Sequence, residues 1–166
     1  MPRHPRAEAP KPGQESVWDY PRPAICEPTG LPIRIEFGGK VIAETRSAFR
    51  TLETSHPPTY YLPPEDVVAG VLEPSGHRSL CEWKGQARYF DVVVGAQRAA
   101  NAAWAYDTPT TPFAQIKGFL AFYPALMDAC FVDGERVQPQ PGGFYGGWVT
   151  SHVAGPFKGA PGTMGW

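Results

Sequence analysis

The stretch Ile33-Arg34-Ile35-Glu36-Phe37-Gly38-Gly39-Lys40-Val41-Ile42-Ala43 decides the fold class. Ile33, Ile35 and Phe37 alternate with Arg34 and Glu36, the period of two that sends successive side chains to opposite faces of a half-buried strand. Gly38-Gly39 supplies a turn, and Val41-Ile42-Ala43 returns as the second strand of a hairpin. The same pattern recurs outward from this hairpin. Ala48 to Glu53 alternates until Pro57-Pro58 ends any regular element. Leu80 to Trp83 and Ala87 to Val94 have strand composition and join through Lys84-Gly85. Ile116 to Tyr123 reads as a buried strand, and Ala129 to Val137 reads as a hairpin whose tight turn uses Asp133-Gly134. Pro63-Pro64-Glu65-Asp66 predicts one or two helical turns, because proline fits the first helical position and acids suit the positive end. Ala96 to Ala103 is open between a helix, by alanine propensity, and a strand ending in Trp104-Ala105-Tyr106. Together these readings predict a mainly β chain with a compact antiparallel sheet and one or two short helices.

A chain of 166 residues suits a single domain. The boundaries read as a flexible polar tail over 1–15, one β-rich domain over 16–154 and a loose glycine- and proline-rich tail over 155–166. Within the domain, Val17 to Pro23 is an extended arm that must lay Trp18 and Tyr20 against something. Fifteen basic residues face sixteen acidic ones, so no broad field draws nucleic acid or an anionic membrane surface. Twenty prolines and eighteen glycines are loop punctuation, since 42% hydrophobic content still supplies a core. Cys26, Cys81 and Cys130 are odd in number, widely spaced and without a C-x-x-C pair. That is a poor disulfide framework and suits a reducing, cytoplasmic location. No apolar run is long enough for a membrane span or a secretory signal.

Four blocks carry a resemblance: Leu52 to Val67 (Leu-Glu-Thr-Ser-His-Pro-Pro-Thr-Tyr-Tyr-Leu-Pro-Pro-Glu-Asp-Val), Cys81 to Tyr89 (Cys-Glu-Trp-Lys-Gly-Gln-Ala-Arg-Tyr), Ala103 to Tyr106, and Pro139 to Trp148 (Pro-Gln-Pro-Gly-Gly-Phe-Tyr-Gly-Gly-Trp). In this order they resemble the bacterial and fungal family called domain of unknown function 427, over most of Trp18 to Thr150. The resemblance implies a small sheet-rich, β-tent-like fold, of which methionine sulfoxide reductase B and the thalidomide-binding domain of cereblon are better-known examples. Their zinc knuckles, built from cysteine pairs, have no counterpart here. The family has also carried a nucleotidyltransferase label. Two-metal nucleotidyl transfer needs a Gly-Ser or Gly-Gly turn followed by closely spaced carboxylates, and Asp128 and Asp133 have no such turn.

The residues themselves nominate a site. Glu53, Ser55 and His56 sit where a strand ends before two prolines, and a carboxylate beside an imidazole can set its tautomer and make it a general base. The bland alternative is a hydrogen-bond network that merely holds the loop. Cys81 and Lys84 bracket Trp83: a thiolate beside an ammonium is a nucleophile, whereas a strand cysteine is ordinarily a small buried residue. Lys84 next to Gly85 also suits anion binding. Of the many large rings, more than half are expected as core, and Tyr60, Tyr106 and Trp148, which stand beside proline or glycine punctuation, are the better candidates for an aromatic pocket. The run 141–148 lacks the lysine and spacing of a phosphate loop, so its glycines serve close backbone crossing. No spacing among His4, His56, His77, His152 and the cysteines suits a metal, and no cofactor motif is present.

The expected function is a small-molecule-binding domain, with catalysis left open, in which Glu53, His56 and Lys84 form the polar end and Tyr60, Cys81, Tyr106 and Trp148 contact the ligand. The alternatives are a non-catalytic interaction module, holding a partner protein or a second copy as a homodimer, and a thiol-dependent enzyme using Cys81.

Overall fold

A computed structural model describes residues 6–166. In chain order its strands are β1 (Glu15–Ser16), β2 (Ile25–Pro28), β3 (Ile33–Phe37), β4 (Lys40–Thr45), β5 (Phe49–Leu52), β6 (Thr59–Tyr61), β7 (Leu72–Cys81), β8 (Gly85–Val94), β9 (Gln97–Tyr106), β10 (Ala121–Phe122), β11 (Ala129–Val132), β12 (Glu135–Arg136), β13 (Gln138–Pro139), β14 (Trp148–Val149) and β15 (Val153–Ala154). The protein is mainly β. Two four-stranded antiparallel sheets, ordered β10-β9-β8-β7 and β12-β11-β3-β4, accompany a three-stranded sheet β2-β5-β6 and the two-stranded pairs β13-β14 and β1-β15, the last parallel.

The hairpin β3-β4 follows from its sequence. Ile33, Ile35 and Phe37 are buried while Arg34 and Glu36 are partly exposed. Phe37 pairs with Lys40, so Gly38-Gly39 forms the whole turn, with φ of 62° and 75°. Both residues need the left-handed region, and a Cβ on Gly38 would lie 2.7 Å from that of Val94. Asp133-Gly134, at φ 50° and 80°, closes the β11-β12 hairpin in the same way.

Ile33, Ile35 and Ile42 pack with Phe90, Val92, Ala103 and Phe122 in a core shared by the two four-stranded sheets. The opposite face of β8 and β9 turns Ala87, Tyr89, Trp104 and Tyr106 toward a second cluster with Tyr61, Phe113 and Ile116. That two-sided burial is why alanine alternates with large rings along β9. A third cluster is the expected arm: Val17 and Tyr20 pack with Leu52 and Val153, and Trp18 Nε1 donates to Pro156 O at 3.0 Å.

The structure decides two sequence expectations left open and changes two others. Ala96 to Ala103 is resolved as strand, because β9 pairs along its length with β8. Pro64–Asp66 is a single 3-10 turn, since Val67 and Val68 leave it to pair with β4 residues Ala43 and Ile42. Ile116 to Tyr123 is not one strand: Thr111–Ile116 forms a 3-10 segment, Gly118 at φ 75° breaks the extended run, and only Ala121–Phe122 pairs with β9. The segment 155–166 is anchored rather than loose: Lys158 N–H donates to Ser55 O, and the Trp166 ring meets Trp18 edge-on at 5.3 Å. At the other end, residues 1–5 of the expected tail lie outside the described residues, while Glu8 N–H donates to Gly155 O at 2.9 Å.

Candidate functional site

One face of the β7-β8-β9 sheet opens into a cleft of about 710 Å³. Strand alternation aims His77, Ser79 and Cys81 of β7 into it, beside Tyr89 of β8 and Trp104 and Tyr106 of β9. The aromatic wall is continuous: the Trp104 ring stands 4.6 Å from Tyr123 and 6.2 Å from Tyr89, and Tyr61 lies 6.2 Å from Tyr106. Burial pushes the Tyr61, Tyr106 and Tyr123 phenols above the ordinary tyrosine range, so they are neutral near pH 7.

Lys84 reaches this wall from the turn Glu82-Trp83-Lys84 between β7 and β8. The turn is held from outside, Thr110 N–H donating to Lys84 O at 3.0 Å and Thr110 Oγ1 to Trp83 O at 2.5 Å. The side chain therefore runs inward and is only 9% exposed. Its Nζ lies 3.6 Å from Cys81 Sγ and 5.6 Å from the Phe113 ring centre. Among the described residues no carboxylate approaches it within 4 Å. Burial opposes the charge on Lys84, while Tyr61, Cys81 and Glu53 work in the other direction and leave its pKa above the ordinary value. The result is a buried ammonium with donor capacity to spare.

Glu53 and His56 converge because they are the two ends of one tight turn, closed by His56 N–H donating to Glu53 O at 3.0 Å. Ser55 within it sits at φ 71°, a conformation costing a residue with a Cβ about 1 kcal/mol, and it is buried and pinned between Val17 O and Lys158 N–H. Glu53 Oε2 stands 3.7 Å from His56 Nε2 and accepts from Trp83 Nε1 at 3.4 Å.

The other side of the His56 ring is governed by Gln140. Its Oε1 accepts from Gly147 N–H at 3.1 Å, and its Nε2 donates to Lys158 O at 2.7 Å, so the amide can face only one way. The same Nε2 stands 3.0 Å from His56 Nδ1, which must then accept. The neutral ring carries its hydrogen on Nε2, facing Glu53. Burial lowers the His56 pKa, opposed by Glu53 and assisted by Lys158 and Lys84. An unfolded chain binds this proton near pH 6.5 and the folded ring refuses it until lower pH. Stability is therefore expected to fall as pH drops through the window between the two pKa values, by at most about 1.4 kcal/mol per pH unit, and to level off below it. Urea unfolding at about pH 7.5 and about pH 5.5 checks this, with His56→Gln expected to lose that part of the slope.

A loop spanning 141–147 covers this end. A Cβ on Gly146 would collide with the Trp104 ring, so only glycine lets the backbone cross the wall there. Tyr145 meets His56 edge-on at 4.7 Å, and Phe144 is largely exposed at the rim.

Glu53, His56, Lys84, Cys81 and Tyr106 thus line one cleft. Tyr60 and Trp148 do not. Their rings lie 5.1 Å apart inside the main core, where Trp148 Nε1 donates to Phe122 O at 3.1 Å. Neighbouring proline and glycine mark tight backbone, not exposure, and strand direction turned both rings away from the cleft. Sequence reasoning missed Gln140, Tyr61, Ser79 and Lys158. A glutamine between two prolines is a weak signal, and Lys158 belonged to the segment read as a tail.

Fold and cleft define a mainly β protein with one aromatic-walled cleft whose polar end holds a carboxylate, a neutral imidazole and a buried ammonium. The chain belongs to the family described as Domain of unknown function (DUF427), whose model matches residues 25–133. No curated protein matches it. The matched range contains Glu53, His56, Cys81, Lys84 and Tyr106, while Gln140, Tyr145 and Lys158 lie beyond it. Among the described residues no three His, Cys, Asp or Glu side chains gather as a metal site, and no helix is long and apolar enough to cross a membrane.

Proposed function

We propose that the cleft binds a compact, partly aromatic small molecule whose anionic group pairs with Lys84. The observation that carries this reading is the Lys84 ammonium itself, buried, donating to Cys81 Sγ at 3.6 Å, in a cleft walled by aromatic rings. An ammonium kept charged at an aromatic wall with donors unspent is placed to pair with an anion, whose ring can stack on Trp104 and Tyr106. The protein works in a reducing, cytoplasmic compartment, in keeping with its three free cysteines.

Thermal shift with matched pairs of phenylacetate and phenylacetamide tests the reading, because binding to the folded state raises Tm by mass action. The anion should raise Tm and the isosteric amide should not. Equal responses, or none across a wider set of aromatic carboxylates, would remove the proposal. A second reading, an interaction module or homodimer, draws on Leu80, Phe144 and Leu126, three exposed apolar side chains around the same rim. Sedimentation velocity showing a monomer at all concentrations would end the homodimer. The thiol reading keeps Cys81 as nucleophile beside Lys84, and modification by iodoacetamide no faster than that of Cys26 would end it.

A further inference from the structure

The polar end of the cleft has a division of labour that binding alone does not call for. Glu53 is an anionic acceptor whose Oε2 meets Trp83 and His56, while its Oε1 accepts no hydrogen bond among the described residues. His56 is a neutral donor through Nε2–H, because the anchored Gln140 amide occupies Nδ1. Lys84 is a buried cation on the same cleft. A base, a neutral N–H donor and a cation around one apolar hollow are the parts needed to take a proton from carbon beside a carbonyl and hold the resulting enolate.

The 3.7 Å between Glu53 Oε2 and His56 Nε2 is too long for a hydrogen bond, and leaves the two groups side by side as an O=C–C–H fragment would need them. In an aromatic α-keto acid the ketone oxygen adjoins the carboxylate, so one ammonium with three donors can serve both.

We propose that the cleft enolises aromatic carbonyl acids: Glu53 is the general base, His56 and Lys84 stabilise the enolate oxygen, and Gln140 is a positioning residue that keeps His56 protonated on Nε2. This rests on the binding reading above. In the forward step the C–H bond breaks, its proton passes to the Glu53 carboxylate, its electron pair forms the C=C bond, and the carbonyl oxygen takes the negative charge. In the reverse step Glu53, having exchanged its proton with solvent, returns one to carbon. No oxidant, metal or co-reactant is consumed.

Phenylpyruvate in D₂O is the probe, since it joins a ring, a carboxylate and an enolisable CH₂ next to the ketone. Proton NMR follows loss of the CH₂ signal as deuterium enters. The wild-type protein should accelerate this exchange over buffer, and Glu53→Gln should lose about 100-fold or more of the acceleration while phenylpyruvate still raises its Tm. Gln140→Ala frees Nδ1 to carry the ring hydrogen, so ¹⁵N NMR should show His56 passing from the Nε2–H form to a mixture of both tautomers, which a merely structural loss would not produce, and an unchanged tautomer would overturn the positioning role. Exchange no faster than buffer, or equally fast in Glu53→Gln, with phenylpyruvate bound overturns the enolising role and leaves the binding reading standing. Failure of phenylpyruvate to bind overturns the enolising role, and failure of phenylacetate as well overturns both.

Discussion

Replacing Trp148 by alanine is expected to lower the unfolding free energy by about 3–5 kcal/mol, the range for truncating a large buried ring. Trp148 is fully buried between Tyr60 and the strand that carries Phe122, and its backbone N–H donates to Pro58 O at 2.8 Å. The loss has two parts. Removing the ring opens a cavity where both core sheets meet, and removing Nε1 leaves Phe122 O without the donor it has at 3.1 Å. Trp148→Phe separates them, because it keeps most of the ring and should cost about 1–3 kcal/mol. Domains of this size hold about 5–15 kcal/mol in all, so the alanine variant should be visibly less folded at 37 °C, roughly the upper end of ordinary assay temperature. Denaturant unfolding followed by circular dichroism measures both variants. A loss below about 1 kcal/mol for the alanine variant would show that Trp148 is not the core residue its burial indicates.

Lys84→Met is expected to weaken binding strongly and stability only slightly. Methionine keeps the length and the apolar stem of lysine, so the packing against Phe113 survives while a charge held out of water disappears. Stability should fall by no more than on the order of 1 kcal/mol, because the neighbours that raise the Lys84 pKa offset the burial of its charge while the methionine stem keeps the packing. Binding of phenylacetate should weaken by about 10- to 100-fold, the equivalent of one hydrogen bond to a charged group. The Tyr106→Phe change should leave the charge preference intact, because that phenol is neutral near pH 7 and its ring remains. Calorimetric titration and chemical denaturation read the two quantities separately. Unchanged affinity in Lys84→Met would place the anion-binding centre elsewhere, and a stability loss well beyond that small one would mean that the ammonium supports the fold rather than a ligand.

The polar end was partly legible before folding is considered. Glu53 and His56 lie three positions apart beside two prolines, and Lys84 follows Cys81 at a strand end, so two short segments carried the signal. What joined them was the placement of β6, β7 and the 53–56 turn around one cleft, which depends on pairing among residues far apart in the chain. Gln140 shows the limit most clearly. Its role depends on an amide held by Gly147 and Lys158 and aimed at an imidazole 84 positions away. No local pattern encodes such a contact.

The sequence by itself determined the elements whose causes are local. Alternation marked β3 and β5, strand composition marked β8, and paired glycines or Asp-Gly marked two hairpin turns, because a strand's two faces and a turn's positive φ are set by the residues that occupy them. Tertiary structure decided which rings became core and which became cleft wall. Tyr60 and Tyr61 are adjacent and chemically identical, yet strand alternation put the first against Trp148 and the second against Tyr106. The physical reason is that both faces of β9 are covered: each ring found an apolar neighbour, and only the packing of whole sheets determined which face was left with an open hollow and a buried charge inside it.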